Sequence, residues 1–167
     1  MPSQPVKAFL FGKLPGHGDF VSRGLTAHER QSWDDLCSAA LQSARRELGE
    51  GFEAAHDASP PWRFAGQQGV GALAPSVDSA GRRFFLVLGA KNFGDSDEVA
   101  AAMEALIYRA LTERLDADTL LASAATAAKA TAPAGGPTRE AERWWVEGQP
   151  RRGPPERLIL ASPETQR

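Results

Sequence analysis

The 167-residue chain is about one ordinary domain long, because a second core would need more apolar material than it carries. Hydrophobic residues at 42% and charged residues at 24% match folded soluble proteins and exclude the disordered class. The 19 basic and 21 acidic side chains leave a formal charge of -2, which excludes the global basic field that non-specific nucleic-acid binding requires.

The run Val6 to Phe11 is short, rich in large apolar residues and stopped by Gly12, which predicts a buried strand. Three glycines and a proline between Gly12 and Phe20 predict a turn, with Asp19 to Ser22 as a short second strand. Thr26 and Glu29 form a capping box that opens a helix. Its apolar positions, Trp33, Leu36, Cys37, Ala40, Leu41, Ala44 and Leu48, follow the three-and-four spacing of one buried face, and Gly49 and Gly51 stop it.

A polar stretch ends in Ser59-Pro60-Pro61, and three strands are predicted after it, at Trp62 to Gln67, Val70 to Ser76 and Arg82 to Lys91. The residues between the last two, Val77 to Gly81, have hairpin-turn chemistry, with Gly81 suited to a left-handed position. A second helix is predicted from Asp95 or Ser96, burying Val99, Met103, Leu106, Ile107, Ala110 and Leu111. A third, capped by Asp116 or Asp118, runs to about Lys129.

Beyond it the composition changes. Pro133-Ala134-Gly135-Gly136-Pro137 reads as a linker, Arg139 to Val146 as a short amphipathic segment, and the end is rich in proline and arginine, with Leu158-Ile159-Leu160 able to dock as a strand. The predicted organisation is an α/β (α+β) core over residues 1–132 with a mostly antiparallel central sheet. Residues 133–167 would dock on it in part.

Glycines and a lysine after a strand invite a phosphate-loop reading, because backbone N–H groups and an ammonium can cradle phosphates. The pattern fails here. In such a loop the lysine comes last, precedes Ser or Thr and opens a helix, whereas Lys13 is followed by Leu14-Pro15 and the helix starts only after Thr26. The Gly12 to Phe20 segment is therefore a structural turn. Gly18 is the glycine singled out in it, and its replacement by a β-branched residue should destabilise the domain if it holds a positive φ.

His17 and Asp19 could join His28 or His56 in a metal or acid-base site, but no ligand spacing supports one, and solvated surface is the expectation. No Gly-x-Ser-x-Gly elbow raises a serine nucleophile. No catalytic residue, cofactor or metal is expected. Cys37, the single cysteine, cannot form an internal disulfide and reads as a small core residue. No apolar run approaches the roughly 18 residues of a membrane span, and Met1 to Lys7 lacks a secretory layout, so a cytoplasmic chain without membrane insertion is expected.

Trp62-Arg63-Phe64 on a half-buried strand puts both rings inward and the guanidinium outward. Lys13, Arg63, Arg82 and Arg83 would form a local basic surface for an acidic or phosphorylated partner, or be consumed in ion pairs with Asp19 and Asp78. Ion pairing is the expected outcome. Adjacent residues of a strand face opposite ways, so Trp144 and Trp145 are hard to bury together. One ring exposed for binding is the functional alternative to docking on the sheet.

Three segments taken together carry a resemblance: Phe11-Gly12-Lys13-Leu14-Pro15 with Gly18-Asp19-Phe20-Val21, then Trp62-Arg63-Phe64, then Pro75-Ser76-Val77-Asp78 with Gly81-Arg82 and Phe84. Their order and spacing resemble the TagF/ImpM proteins, accessory factors of the bacterial type VI secretion system. Trp33-Asp34, and Trp144-Trp145 followed by Gly148, also fit. The resemblance implies a longin- or profilin-like fold and a non-enzymatic, post-translational repressor. Its implied partner is a cytoplasmic scaffold with a forkhead-associated domain, in the setting of a threonine kinase and phosphatase pair. A structural part of the apparatus and a phosphate-directed enzyme are the alternatives. Gly12, Lys13, Pro15, Gly18, Asp19, Phe20, Trp62, Arg63, Pro75, Ser76, Asp78, Gly81, Arg82, Trp144 and Trp145 are then read as fold or interface determinants.

Overall fold

Apolar runs punctuated by glycine turns become six strands in the computed structural model, which describes residues 5–131, 142–148 and 158–159. They are β1 (Lys7–Gly12), β2 (Val21–Arg23), β3 (Trp62–Gly66), β4 (Gly69–Val77), β5 (Arg83–Lys91) and β6 (Arg143–Trp145). All pairings are antiparallel, in the order β2-β1-β5-β4-β3-β6. The expected linker at 133–137, residues 139–141, Leu160 and most of the proline- and arginine-rich end lie outside the described residues.

Four helices cover the sheet: α1 (Ala27–Leu48), α2 (Phe52–Ala58), α3 (Asp97–Glu113) and α4 (Ala117–Ala130). The cap chemistry read from the sequence is in place. Thr26 Oγ1 accepts from the Glu29 N–H and Glu29 Oε1 accepts from the Thr26 N–H, at 3.1 and 2.8 Å. Of the alternatives left open, Ser96 caps α3 and Asp116 caps α4.

The two faces of the sheet are packed differently. On one, α3 and α4 lie on small side chains such as Ala8, Ala65, Ala72, Ala74 and Ala90, and themselves present Ala100, Ala110, Ala124 and Ala128. Small residues on both sides let two helices approach the strands closely. The other face is aromatic: Phe9, Phe11, Trp62, Phe64, Phe85 and Trp144 pack under Trp33, Cys37 and Leu41 of α1 and Phe52 of α2. Alternation along each strand sends consecutive residues to these two layers, as Phe9 and Leu10 show. The α+β plan expected from the sequence is the observed one.

Two local expectations are corrected, and the Trp144–Trp145 segment docks on the sheet as expected but with both rings buried. The stretch before Pro60 contains α2, whose Phe52 and His56, one turn apart, are both buried. The second strand begins at Val21, because the Asp19 carboxylate accepts from the Phe20 N–H at 2.7 Å and holds that residue in the turn. The two adjacent tryptophans are both buried, at 1% and 6% exposure. β6 is an edge strand on β3, with Phe64 opposite Trp144. Trp144 enters the aromatic layer and Trp145 the alanine layer, where the Arg143 guanidinium lies 4.8 Å from its ring.

Candidate functional site

The turn after β1 and the hairpin between β4 and β5 are locked together by main-chain bonds. The Lys13 N–H donates to Phe85 O (3.0 Å), His17 N–H to Leu14 O (3.0 Å) and Ser79 N–H to His17 O (2.8 Å). Gly12 makes the approach possible, with φ 134°, and a Cβ there would fall 2.0 Å from Phe85 O. Gly18 does not hold a positive φ, and a Cβ on it would meet only Ser79 Oγ at 3.4 Å. The strained glycine of this turn is Gly12, not Gly18.

Asp78 is the centre of the junction, 2% exposed. Its Oδ1 accepts from the Ala80 and Arg82 N–H groups at 2.9 Å each, which shapes the hairpin around Gly81 (φ 80°). Its Oδ2 takes Lys13 Nζ at 3.0 Å and Arg82 Nε at 2.8 Å, and Arg82 Nη2 continues to Gly18 O at 2.7 Å. Burial alone would raise the carboxyl's pKa. The Arg82 N–H, the Lys13 ammonium, the Arg82 guanidinium and the Ala80 N–H outweigh it and hold Asp78 well below the usual carboxylate range.

A pH dependence follows, with a definite sign. Above an unfolded-state value of about 4, Asp78 is charged in both states and its contribution is complete. As the pH falls through that value, the unfolded chain takes up a proton that the folded chain refuses, so stability drops toward the lowered folded value. Urea unfolding at stepped pH between about 5 and 2 should give a steeper fall for the native sequence than for Asp78→Asn. Parallel curves would remove Asp78 from this role.

The other basic residues go to separate partners. Arg63 points to the α3 face and makes a forked pair with Glu104, both contacts at 3.2 Å, with Glu147 at 3.4 Å. Arg83 forks onto Asp57 at 3.0 Å twice and reaches Glu53 at 3.4 Å. Its guanidinium is the chief reason the Asp57 carboxyl is lowered. Ion pairing is therefore the outcome for all four cations, but through Asp78, Glu104, Glu147, Glu53 and Asp57; among the described residues Asp19 pairs with none of them, and Arg63 is on the other side of the sheet.

The phosphate and metal readings fare poorly against this geometry. Lys13 Nζ is buried on Asp78, and the N–H groups of Lys13 and His17 are engaged. His56 is not solvated surface but 1% exposed, its Nε2–H donating to Phe84 O at 2.6 Å. Among the described residues no group of three His, Cys, Asp or Glu side chains is placed to hold a metal ion. Burial pushes the Cys37 thiol far up, which leaves it no thiolate. Ser76 is buried without a hydroxyl partner among the described residues, Pro75 is half-buried, and Trp62 Nε1 donates to Leu158 O at 2.8 Å.

Against the junction lies an open groove of about 470 Å³ between α1–α2 and the hairpin, lined by Lys13, Arg45, Phe52, Arg82, Arg83 and Phe84 among others. Phe20, 49% exposed, is not itself a lining residue but touches two that are, its ring 4.9 Å from Phe84 and 4.9 Å from Lys13 Nζ. Half-buried Pro15 lies in the same turn. Sequence reasoning singled out neither Arg45 nor Phe52 as a site residue. Arg45 looks like any charge in the last turn of a helix, and Phe52 joins it only through the unforeseen α2.

The family model for the TagF N-terminal domain, type VI secretion system-associated, matches residues 10–128. The chain belongs to that family. A crystal structure of PA0076 from Pseudomonas aeruginosa PAO1 superposes with a TM-score of 0.65 and 26% identity, over 86% of this chain and 72% of that one. No curated protein sequence matches. The TagF match takes in the turn, the aromatic strand and the hairpin, the three segments whose order and spacing are distinctive. In this TagF-family domain the first and third of them are one physical object, the Asp78 junction, while Trp62 and Phe64 of the second floor the aromatic layer. No helix among the described residues is long and apolar enough to cross a membrane.

Proposed function

We propose that this chain is a non-enzymatic accessory factor that represses the type VI secretion system after translation. It does so in the cytoplasm, by occupying the scaffold that carries a forkhead-associated domain. The observation that carries this reading is the match to a type VI secretion system-associated family over residues 10–128. The use of its polar residues supports it, since Lys13 and Arg82, two of the four groups on which a phosphate-directed enzyme would be built with His17 and Asp19, hold the turn to the hairpin through Asp78 and Gly18. Repression by occupancy requires only a folded surface and a stoichiometric amount of protein. Kinase and phosphatase control of the scaffold would set when that surface is available.

The test pairs a binding measurement with a genetic one. Purified chain and purified scaffold should co-elute as a complex and titrate in calorimetry, and deletion of the gene should raise secretion of the apparatus's own exported proteins. No complex, together with unchanged secretion, overturns the proposal. Secretion that falls on deletion identifies a required structural part instead.

A further inference from the structure

We infer that the groove between α1–α2 and the β4–β5 hairpin docks an acidic segment of a partner protein, with carboxylates between Arg45 and Arg82 and an apolar side chain on Phe84 and Phe20. The inference rests on the partner-binding reading above and assigns it a surface. Four cationic side chains line the groove against one carboxylate, Glu53, which Arg83 already holds. Lys13 is neutralised by Asp78 beneath the floor. Arg45 is exposed with its guanidinium 4.9 Å from the Phe52 ring, and the Arg82 side chain is 63% exposed, with Nε on Asp78 and Nη2 on Gly18 O, so that Nη1 is the Arg82 nitrogen without a partner among the described residues. Among the described residues Arg45 has no carboxylate within ion-pair distance.

Guanidinium groups set on and beside aromatic rings are weakly hydrated and present planar donor edges, which suits carboxylates. Phe20 supplies what a purely electrostatic site lacks, a half-exposed ring continuous with Phe84 and Phe11. Exposed aromatic and arginine side chains next to one another are the composition of interface hot spots. The occupant is an acidic peptide rather than a polyanion for two reasons. The half-exposed Phe20 ring near the outward guanidinium of Arg45 suits a chain that carries both carboxylates and an apolar side chain, and the formal charge of -2 gives no field that would gather nucleic acid.

The probe is a short fluorescein-labelled peptide with glutamates flanking a phenylalanine, read by fluorescence polarisation with the full chain. Beside it are tested its glutamine counterpart and a phosphothreonine-bearing peptide. The glutamate peptide should bind, and Arg45→Glu should weaken it about tenfold. Phe20→Ala should weaken it several-fold, as should a rise in salt. Arg46→Glu, on the same exposed helix end but outside the groove, should change nothing, and both arginine variants should keep the native melting temperature. Equal binding of the glutamine peptide, tighter binding of the phosphothreonine peptide, or an equal effect of Arg46→Glu overturns the assignment. The scaffold complex separates the two readings. A complex indifferent to Arg45→Glu and Phe20→Ala overturns the groove and leaves scaffold binding standing. Charge-dependent peptide binding without any scaffold complex supports the groove and overturns the scaffold as its partner.

Discussion

Gly12→Val should leave the chain barely folded or unfolded. A β-branched residue at φ 134° carries backbone strain, and its Cβ would fall 2.0 Å from Phe85 O, inside the atom it would have to displace. Strain of about 1–3 kcal/mol and overpacking of a similar size would remove much of a total stability that is only about 5–15 kcal/mol for a domain. The obstruction is main chain of the neighbouring strand, so the repair would have to break the Lys13 N–H to Phe85 O bond and loosen the Asp78 junction. Urea unfolding followed by tryptophan fluorescence reads the effect. Gly18→Val is the internal control, with ordinary backbone and only a side-chain oxygen at 3.4 Å, and should change stability by less than about 1 kcal/mol. Equal losses at the two glycines would mean that the turn does not approach β5 as described.

The second large effect is expected at Trp144. Replacement by alanine should cost about 3–5 kcal/mol, the usual range for truncating a buried aromatic. The ring is 1% exposed and packs against Trp33 and Phe64, with centroids 6.2 and 5.1 Å away. Trp144→Phe should be far milder, because among the described residues the indole Nε1 has no hydrogen-bond partner to lose. Equilibrium unfolding of both variants makes the comparison. A cost below about 1 kcal/mol for the alanine variant would show that β6 lies outside the cooperative unit formed by β1 to β5.

Trp144 shows why the region after α4 matters to a fold whose other five strands and four helices precede it. Without β6, β3 would be an exposed edge, and Trp33 and Phe64 would lose the ring that covers them. Trp62 Nε1 also reaches Leu158 O, 96 residues away, so part of the distal chain is tied to the same strand.

Much of the architecture was legible because it is written in neighbouring residues. The Thr26–Glu29 box, the Ser96 and Asp116 caps, the apolar face from Trp33 to Leu48 and the left-handed Gly81 each depend on contacts within a few positions. The candidate site was legible in its parts, not in its assembly. Lys13 and Arg82 were expected to pair with acidic groups, and they do, but choosing Asp78 over Asp19 required knowing that the hairpin folds back beneath the turn. Arg63 showed no sign of Glu104, 41 residues on in α3. The seven residues of α2 were hidden because the glycines that end α1 also precede a helix too short for a periodic pattern to declare itself.

The sequence by itself determined the order of β1 to β5 with α1, α3 and α4, the buried faces of those helices, the exclusion of a phosphate loop by the placement of Lys13, and the resemblance to the TagF family. Those properties follow from composition, alternation and cap chemistry, all short in range. Tertiary structure alone decided that Gly12 and not Gly18 is the strained turn glycine, that both Trp144 and Trp145 are buried, and that Arg45 and Arg82 line one groove with the Phe20 ring against its Phe84. Each is a distance between segments far apart in the chain. Such distances depend on how the strands and helices pack against one another, which local propensity does not encode.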